Sequence, residues 1–321
     1  MKVKILHKIL HAPIKQQTTH KYANLKSRIT MTQISLTNTD QTVTMNAVTS
    51  NATNNSIAKK ELNNHHDPPL QNIHLNKALI MAGGFGTRML ELTKDTPKPM
   101  LILLGKPILE YSIDLCKRFG ISEIAISIFH FGNKIKEYFG DGSKFGVHIV
   151  YVEEKEPLGT GGAVRLFADW LTEPFMMCNA DELKDINLDE MYKRHLASGA
   201  LATIALTRVD DPSQYGVVEL KSDLHGDKIM RFVEKPKKEE APSNYINAGL
   251  YIIDPQAIKY IPAGFTMVEK DLFPKLATEG KLNGFKFSGQ WFDTGTPQRY
   301  ADTQKSWRGF KEVPYKTSTP Q

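Results

Sequence analysis

An apolar run that ends abruptly in a cluster of glycines restricts the fold of this chain more than any other feature. Lys77–Ala82 reads KALIMA and passes directly into Gly83-Gly84-Phe85-Gly86-Thr87-Arg88. A strand without polar alternation is buried on both faces, as in a parallel sheet covered by helices. The pattern continues downstream. Ile108–Phe119 has apolar residues at helical spacing and ends at Gly120, and Glu123–Ile128, His148–Val152 and Phe175–Cys178 read as strands. Between them, Gly162–Leu171 and Leu188–His195 read as helices. This alternation predicts an α/β, doubly wound, mixed but mainly parallel sheet of Rossmann-like form with right-handed crossovers. The second half is richer in strands, at Leu201–Val209, Tyr215–Leu220, Lys228–Val233 and Tyr245–Ile253. Helices are expected at Pro255–Tyr260, Lys270–Thr278 and Pro297–Phe310. There is no internal repeat and no run of hexapeptide repeats near the C-terminus.

Composition divides the 321 residues near position 75. Every Gly, Phe and Trp lies after it, while residues 1–75 hold ten Thr and nine Asn, and Ile29–Ala58 carries one charge, Asp40. So few large side chains cannot offset the entropy of ordering, and this extension is expected to be disordered. It also holds the whole charge imbalance: nine Lys/Arg against three Asp/Glu, which leaves 32 of each sign in residues 76–321. The body therefore has no global basic field for nucleic acid. The opening MKVKILHKILH has the pattern of a short basic amphipathic helix, but no apolar run fits a secretory signal or a membrane span. A dispensable extension, or initiation at Met31 or Met45, is the plainer reading. His65 and His66 beside Asp67 lie in a polar stretch and are assigned no metal; the sequons at Asn51 and Asn54 mean little without secretion. Two cysteines, Cys116 and Cys178, exclude a disulfide framework or a multi-cysteine zinc site and suit a reducing, cytoplasmic setting. The expected organisation is an extension at 1–75, one catalytic domain at 76–312 and a polar tail at 313–321.

Ligands of doubly wound sheets sit beyond the carboxyl ends of the strands, so the residues after each strand carry the chemistry. Gly83, Gly84 and Gly86 let the backbone approach an anion and aim N–H groups at it. The loop fits neither the Rossmann fingerprint, whose third glycine is replaced by Met89, nor a Walker A loop, which needs Gly-Lys-Ser/Thr. It continues as MLELTKDTPKPM, which places Lys98 between Pro97 and Pro99, ten residues after Arg88. A glycine cradle with two cations suits a triphosphate and its pyrophosphate leaving group. Phe175–Asp181 reads FMMCNAD, an apolar strand that delivers a carboxylate at its end, as a hard cation bridging phosphate oxygens requires. Asp293 follows a short strand in WFDTGTP, and Glu234-Lys235-Pro236 follows Lys228–Val233. Cys178, beside Met176 and Met177, reads as core rather than nucleophile, and His130 between Phe129 and Phe131 reads as structural.

The string GGFGTRMLELTKDTPKPM, followed in order by these later motifs, resembles the sugar-1-phosphate nucleotidyltransferases over about residues 77–305. The resemblance implies their Rossmann-like fold with a strand-rich sugar-binding half. It also implies transfer of a nucleoside monophosphate from an NTP to a sugar 1-phosphate, with release of pyrophosphate. It assigns Mg²⁺ to Asp181 and Asp293; Ala180 stands where the family usually has glycine. Nucleotide contacts fall on Ala82, Gly83, Gly84, Gly86, Thr87, Arg88 and Lys98, and on Glu154, Gly159 and Thr160. Sugar-phosphate contacts fall on Tyr215, Gly216, Glu234, Lys235, Asn247 and Gly249. Arg88, Lys98, Asp181, Lys235 and Asp293 are the expected catalytic set.

The segments PLGTGGA, INAGLYIID and EKDLFPKLATEGKL are similar to those of mannose-1-phosphate and heptose-1-phosphate guanylyltransferases. Pyrimidine-specific members tend to carry Gln where Glu154 aligns. A carboxylate only accepts, and guanine N1–H and N2–H₂ only donate, so Glu154 favours GTP, with mannose 1-phosphate as the sugar substrate. The alternatives are a UTP- or dTTP-dependent glucose-1-phosphate enzyme, and a non-catalytic regulatory subunit on the same fold. The latter would lack charged site residues, all of which are present. No nucleic acid partner is expected, and homo-oligomerisation is left open.

Overall fold

The computed structural model describes residues 74–84, 86–223 and 226–311, and the backbone of two short strands, Leu36–Thr39 and Thr42–Met45, which pair antiparallel. The expected disorder of the rest of the extension, its amphipathic start, Met31, His65–Asp67, the sequons, Phe85 and the tail lie outside the described residues.

The main sheet has nine strands: β1 (Lys77–Met81), β2 (Glu123–Ile128), β3 (His148–Glu153), β4 (Phe175–Asn179), β5 (Ala202–Arg208), β6 (Gly216–Asp223), β7 (Gly226–Glu234), β8 (Tyr245–Ile253) and β9 (Leu282–Lys286). The first four are parallel in the order β3-β2-β1-β4. The chain winds outward from β1 to β3 and then crosses back to β4 on the other flank of β1. The winding therefore reverses between β1 and β4, and this reversal opens a crevice at their carboxyl ends.

The second half is built around β8. One edge of β8 runs antiparallel to β5. Its other edge has two partners in succession: β6 through Val217 and Ile246, then β4 along Leu250–Ile253. Asn247, Ala248 and Gly249 fall in the gap where these partners diverge. Ala248, Gly249 and Leu250 also stand opposite the single residue Ala205 of β5, a bulge that turns this stretch toward the crevice. The pairings β5–β9, β9–β7 and β7–β6 close the five strands into a ring.

Both faces of the sheet are covered, which explains the unbroken apolar strands. Ala78 and Ile80 share a core with Leu109, Ile113 and Cys116 of helix α1 (Ile108–Arg118) and Ile135 of α2 (Gly132–Phe139). Leu79 points the other way, into a core with Val164 of α3 (Gly159–Leu166), and that core extends beneath the second half. There Phe273 and Leu276 of α5 (Phe273–Thr278) pack with Tyr251. Met191 and His195 are the buried face of α4 (Leu188–Ser198), and α6 (Pro297–Ser306) closes the described body.

Several expected helices are corrected in their bounds. The one placed at Gly162–Leu171 begins at Gly159 and ends at Leu166, because Gly159, at φ +72°, supplies the turn into it. Pro255–Tyr260 is a 3-10 helix, and Lys270–Thr278 is a π turn, Val268–Leu272, continued by α5. The last helix stops at Ser306, and Trp307 turns inward against Tyr111, Phe292 and Phe310. α2 and β9 were not anticipated. Cys178 is core, as expected, and burial raises its pKa. His130 is exposed and packs on Phe131. Among the described residues, no helix is long and apolar enough to cross a membrane.

His195 gives the fold a measurable acid sensitivity. Its ring is 3% exposed and its Nδ1 lies 2.9 Å from Thr203 Oγ1. Burial lowers its pKa from 6.5 to about 4, against a weaker opposing pull from Asp254. The unfolded chain thus takes a proton that the folded protein refuses. Its stabilising contribution is complete above pH 6.5 and is lost as pH falls toward 4. Urea denaturation at pH 7.5 and pH 5 should show a loss of about 2 kcal/mol in the wild type that His195→Gln largely lacks.

Candidate active site

The crevice between the two halves encloses about 480 Å³, within the range of small-molecule sites. Its floor is set by backbone hydrogen bonds between neighbouring strand ends: Ala82 N–H to Ser127 O at 2.9 Å, and Ala180 N–H to Met81 O at 3.1 Å. These put the glycine loop and Asp181 side by side. Ala180 is buried and its backbone is outside the left-handed region, so no glycine is required there. Gly86 does need its freedom, at φ +64°; its carbonyl accepts from Met89 N–H at 2.8 Å and Thr93 Oγ1 at 3.2 Å, which folds the loop into a short turn.

Lys98 comes from a 3-10 turn, Lys98–Met100, which the extended Pro97 leads into. Only 6% of it is exposed, and its Nζ donates to Asp181 Oδ2 at 2.5 Å. Burial alone would raise the Asp181 pKa. The ammonium groups of Lys98 and Lys184 outweigh burial and hold it below the ordinary carboxylate range.

Asp293 reaches the same place from the far end of the chain. The strand Trp291–Asp293 pairs antiparallel with Glu182–Lys184, with Asp293 opposite Glu182. Thr294 clamps this ladder by donating its N–H and Oγ1 to Asp181 O at 3.2 and 2.7 Å. Asp293 accepts from Arg299 Nη1 at 2.6 Å and from Gly295 N–H at 2.6 Å. Asp181 and Asp293 thus present hard oxygen donors on one wall, each beside a cation. That donor set fits Mg²⁺, although among the described residues no group of three or more His, Cys, Asp or Glu is arranged to hold a metal.

The opposite end is built by β6, β7 and β8. Lys235 has a left-handed backbone, φ +49°, a strained conformation for a residue with a Cβ. Its N–H donates to Tyr215 O at 3.0 Å and its Nζ to Glu234 Oε1 at 2.5 Å. A side chain at Gly216 would lie 2.4 Å from the Phe232 ring and 3.0 Å from Glu234 Oε2. Tyr215 packs edge-on against Trp291, under the Arg299 guanidinium.

On the remaining wall, Glu154 is buried and bridges two elements. Oε1 accepts from Ser127 Oγ at 2.6 Å and Oε2 from Leu158 N–H at 2.9 Å. It is not one of the solvated acids that surround it in sequence. Gly159 presses against the loop before the π turn, and Gly161 N–H donates to Thr266 O at 2.9 Å.

The structure brings every residue nominated from sequence into this one crevice: Ala82, Gly83, Gly84, Gly86, Thr87, Arg88, Lys98, Glu154, Gly159, Thr160, Asp181, Tyr215, Gly216, Glu234, Lys235, Asn247, Gly249 and Asp293. Sequence reasoning missed Glu182, Glu269 and Arg299, which line it too. Glu182 accepts from Asn179 Nδ2 at 2.9 Å and Trp291 Nε1 at 3.1 Å, and it fills the space that a side chain at Gly249 would need. Burial pushes its pKa up, with Lys184 opposing and Asp181 adding to the rise. Trp291 and Gly249, which fix its place in the crevice wall, reach it only through tertiary pairing, so no sequence spacing marks it.

Residues 77–308 match the family model described as Nucleotidyl transferase. The chain belongs to this nucleotidyl transferase family. Curated relatives include the mannose-1-phosphate guanylyltransferase catalytic subunit beta of Danio rerio, 38% identical over 228 residues, 70% of this chain and 62% of that protein. Another is the probable mannose-1-phosphate guanylyltransferase 1 of Oryza sativa subsp. japonica, 38% identical over 229 residues with the same coverage. The chain therefore spans about 62% of the length of these relatives. Among solved structures, a putative glucose-1-phosphate thymidylyltransferase from Bacillus anthracis, in complex with a sucrose, superposes with a TM-score of 0.65 at 26% identity, covering 73% of this chain and 97% of that one. A UDP-glucose pyrophosphorylase complexed with UDP-glucose gives 0.64 at 25% identity, covering 72% and 97%. The crevice described above thus belongs to a nucleotidyl transferase fold.

The tightest fit in the site is testable. A Cβ at Gly159 would stand 2.3 Å from the backbone oxygen of Thr266, at φ +72°. Neither the clash nor the backbone strain can be relieved by a side-chain rotation. Gly159→Ala is expected to cost about 1–3 kcal/mol in chemical denaturation. A loss below about 0.5 kcal/mol would show that the Thr266 loop yields freely.

Proposed function

We propose that the chain transfers a nucleoside monophosphate from an NTP to a sugar 1-phosphate, releasing pyrophosphate, with GTP and mannose 1-phosphate as the preferred pair and GDP-mannose as the product. The observation that carries this reading is the shared crevice, in which a glycine loop with two cations, two aspartates and a strained Lys235 face one another. That is the set an α-phosphoryl displacement needs.

The attacking group is an oxygen of the sugar phosphate, already ionised at pH 7, so no general base is required. It forms a bond to the α-phosphorus in line with the bond to the leaving pyrophosphate, which breaks. Catalysis then rests on positioning and on neutralising charge. The N–H groups of Gly83, Gly84 and Gly86 cradle the triphosphate, and Arg88 and Lys98 hold its terminal oxygens. Lys235 orients the sugar phosphate, and Glu234 accepts from sugar hydroxyls. Tyr215, Gly216, Asn247 and Gly249 form the rest of the sugar pocket. Asp181 and Asp293 would hold Mg²⁺, which when bound neutralises charge on the phosphate oxygens. In this scheme Lys98 exchanges Asp181 for a phosphate oxygen as substrate enters, so neither group is left buried and unpaired.

The choice of GTP is supported by Glu154 and by the names of the curated relatives. Each Glu154 oxygen accepts one protein hydrogen bond and keeps a second lone pair, which suits the donor edge of guanine. Ala82, Thr87, Gly159 and Thr160 complete the nucleotide end. Cys116 and Cys178 are buried free thiols, in keeping with a cytoplasmic enzyme.

Pyrophosphate release should be measured with GTP, UTP, dTTP, ATP and CTP, each crossed with mannose and glucose 1-phosphates in Mg²⁺. GTP with mannose 1-phosphate is expected to be fastest. A preference for UTP or dTTP with glucose 1-phosphate would discard the role of Glu154. Absence of release with every pair would leave an untested sugar, such as a heptose 1-phosphate, or the non-catalytic subunit. In the active pair, Lys98→Ala and Asp181→Asn should each lower kcat by at least ~10²-fold, as loss of one transition-state electrostatic contact does. Near-wild-type turnover of either variant contradicts the mechanism.

A further inference from the structure

Two hydroxyl groups converge on one buried carboxylate, and each ends a chain of hydrogen bonds that begins in a different part of the crevice wall. Glu269, in the π turn Val268–Leu272, is 8% exposed and lines the crevice. Its Oε2 accepts from Thr160 Oγ1 at 2.7 Å, and its Oε1 makes a longer contact with the Tyr251 hydroxyl at 3.4 Å.

Both chains start from a backbone N–H, which can only donate. Val268 N–H donates to Thr160 Oγ1 at 2.9 Å, which leaves the Thr160 proton for Glu269 Oε2. Gly249 N–H donates to Asn247 Oδ1 at 2.9 Å, which turns the Asn247 amide so that Nδ2 donates to the Tyr251 hydroxyl at 2.9 Å. The Tyr251 hydroxyl in turn donates to Glu269 Oε1. Both Glu269 oxygens thus act as acceptors. An ionised carboxylate accepts on both oxygens, whereas an amide has one acceptor oxygen. Burial pushes the Glu269 pKa up, and the hydrogen bonds from Thr160, a backbone N–H and Tyr251 oppose that rise and favour the charged form.

We propose that Glu269 is a positioning residue that sets both substrate loops at once. Through Thr160 it fixes the turn at the nucleotide end. Through Tyr251 it fixes the Asn247 amide with its second N–H left for an oxygen of the sugar. The proposal rests on the assignment of nucleotide and sugar ends given above. It divides the effect of each variant between the two substrates, a readout that general destabilisation does not produce.

Steady-state kinetics of Tyr251→Phe, Glu269→Leu, which removes both acceptor oxygens, and the double variant, with the NTP and sugar 1-phosphate that the wild type turns over, test this. Tyr251→Phe is expected to raise KM for the sugar 1-phosphate about fivefold or more and leave KM for the NTP within twofold, as loss of one buried hydrogen bond would. Glu269→Leu should raise both. In the double variant, the rise in KM for the sugar 1-phosphate should be less than the product of the two single effects, because both changes cut one chain. Unfolding midpoints at or above the assay temperature by a wide margin establish that each variant is folded. Equal effects of Tyr251→Phe on the two substrates, or multiplicative effects in the double variant, overturn the positioning role while the activity stands. A wild-type protein without turnover overturns the functional reading, and this proposal with it.

Discussion

The ion pair between Lys98 and Asp181 is the interaction on which the crevice depends. It spans the point where the winding of the sheet reverses, joining the turn after the glycine loop to the end of β4. Its net contribution to stability is small, because desolvating an ammonium that is almost fully buried offsets most of the attraction. Its importance lies in what it permits. Asp181, Glu182 and Asp293 are crowded on two paired strands, and such a cluster stays charged only beside cations. Lys98, Lys184 and Arg299 supply them, and the result is asymmetric: the Asp181 pKa is held down and that of Glu182 is pushed up. Neighbouring carboxylates in one wall are thereby shifted in opposite directions, and Asp181, the one held down, lies next to the glycine loop.

Around that pair, the fold places each chemical group where the backbone runs out of partners. β8 changes neighbours from β6 to β4, and the gap exposes Asn247–Gly249. β1 and β4 part at their carboxyl ends, and the gap holds the glycine loop and Asp181. The bulge opposite Ala205 and the left-handed Lys235 are local departures from regular geometry, both at the crevice. In the proposed reaction these two departures meet a ligand rather than another strand.

Much of this was legible in the sequence, for a physical reason. KALIMAGGFGTR, FMMCNAD and the apolar β8 segment each carry a strand and its functional residue in one continuous stretch, so local pattern is enough to find them. The nominated residues accordingly line a single crevice. What escaped notice is what tertiary pairing creates. Glu182 reads as one more acid in NADELKD until Trp291 and Asn179 are seen to hold it. Glu269 sits in EKD, a charge run that suggests solvent, yet Thr160 and Tyr251 hold it inside. Arg299 lies in the polar helix α6 and gains a role only because Asp293 and Tyr215 reach it. The ring closure of β5 through β9 had no signal either, since Leu282–Lys286 is short and contains Gly284.

The most direct test of the account is a crystal structure with GDP-mannose and Mg²⁺ bound. The account predicts the diphosphate against Gly83–Gly86 and Lys98, the metal between Asp181 and Asp293, guanine beside Glu154 and mannose against Asn247–Gly249 and Glu234. A nucleotide bound with its base and sugar ends exchanged, or a metal held away from both aspartates, would contradict it.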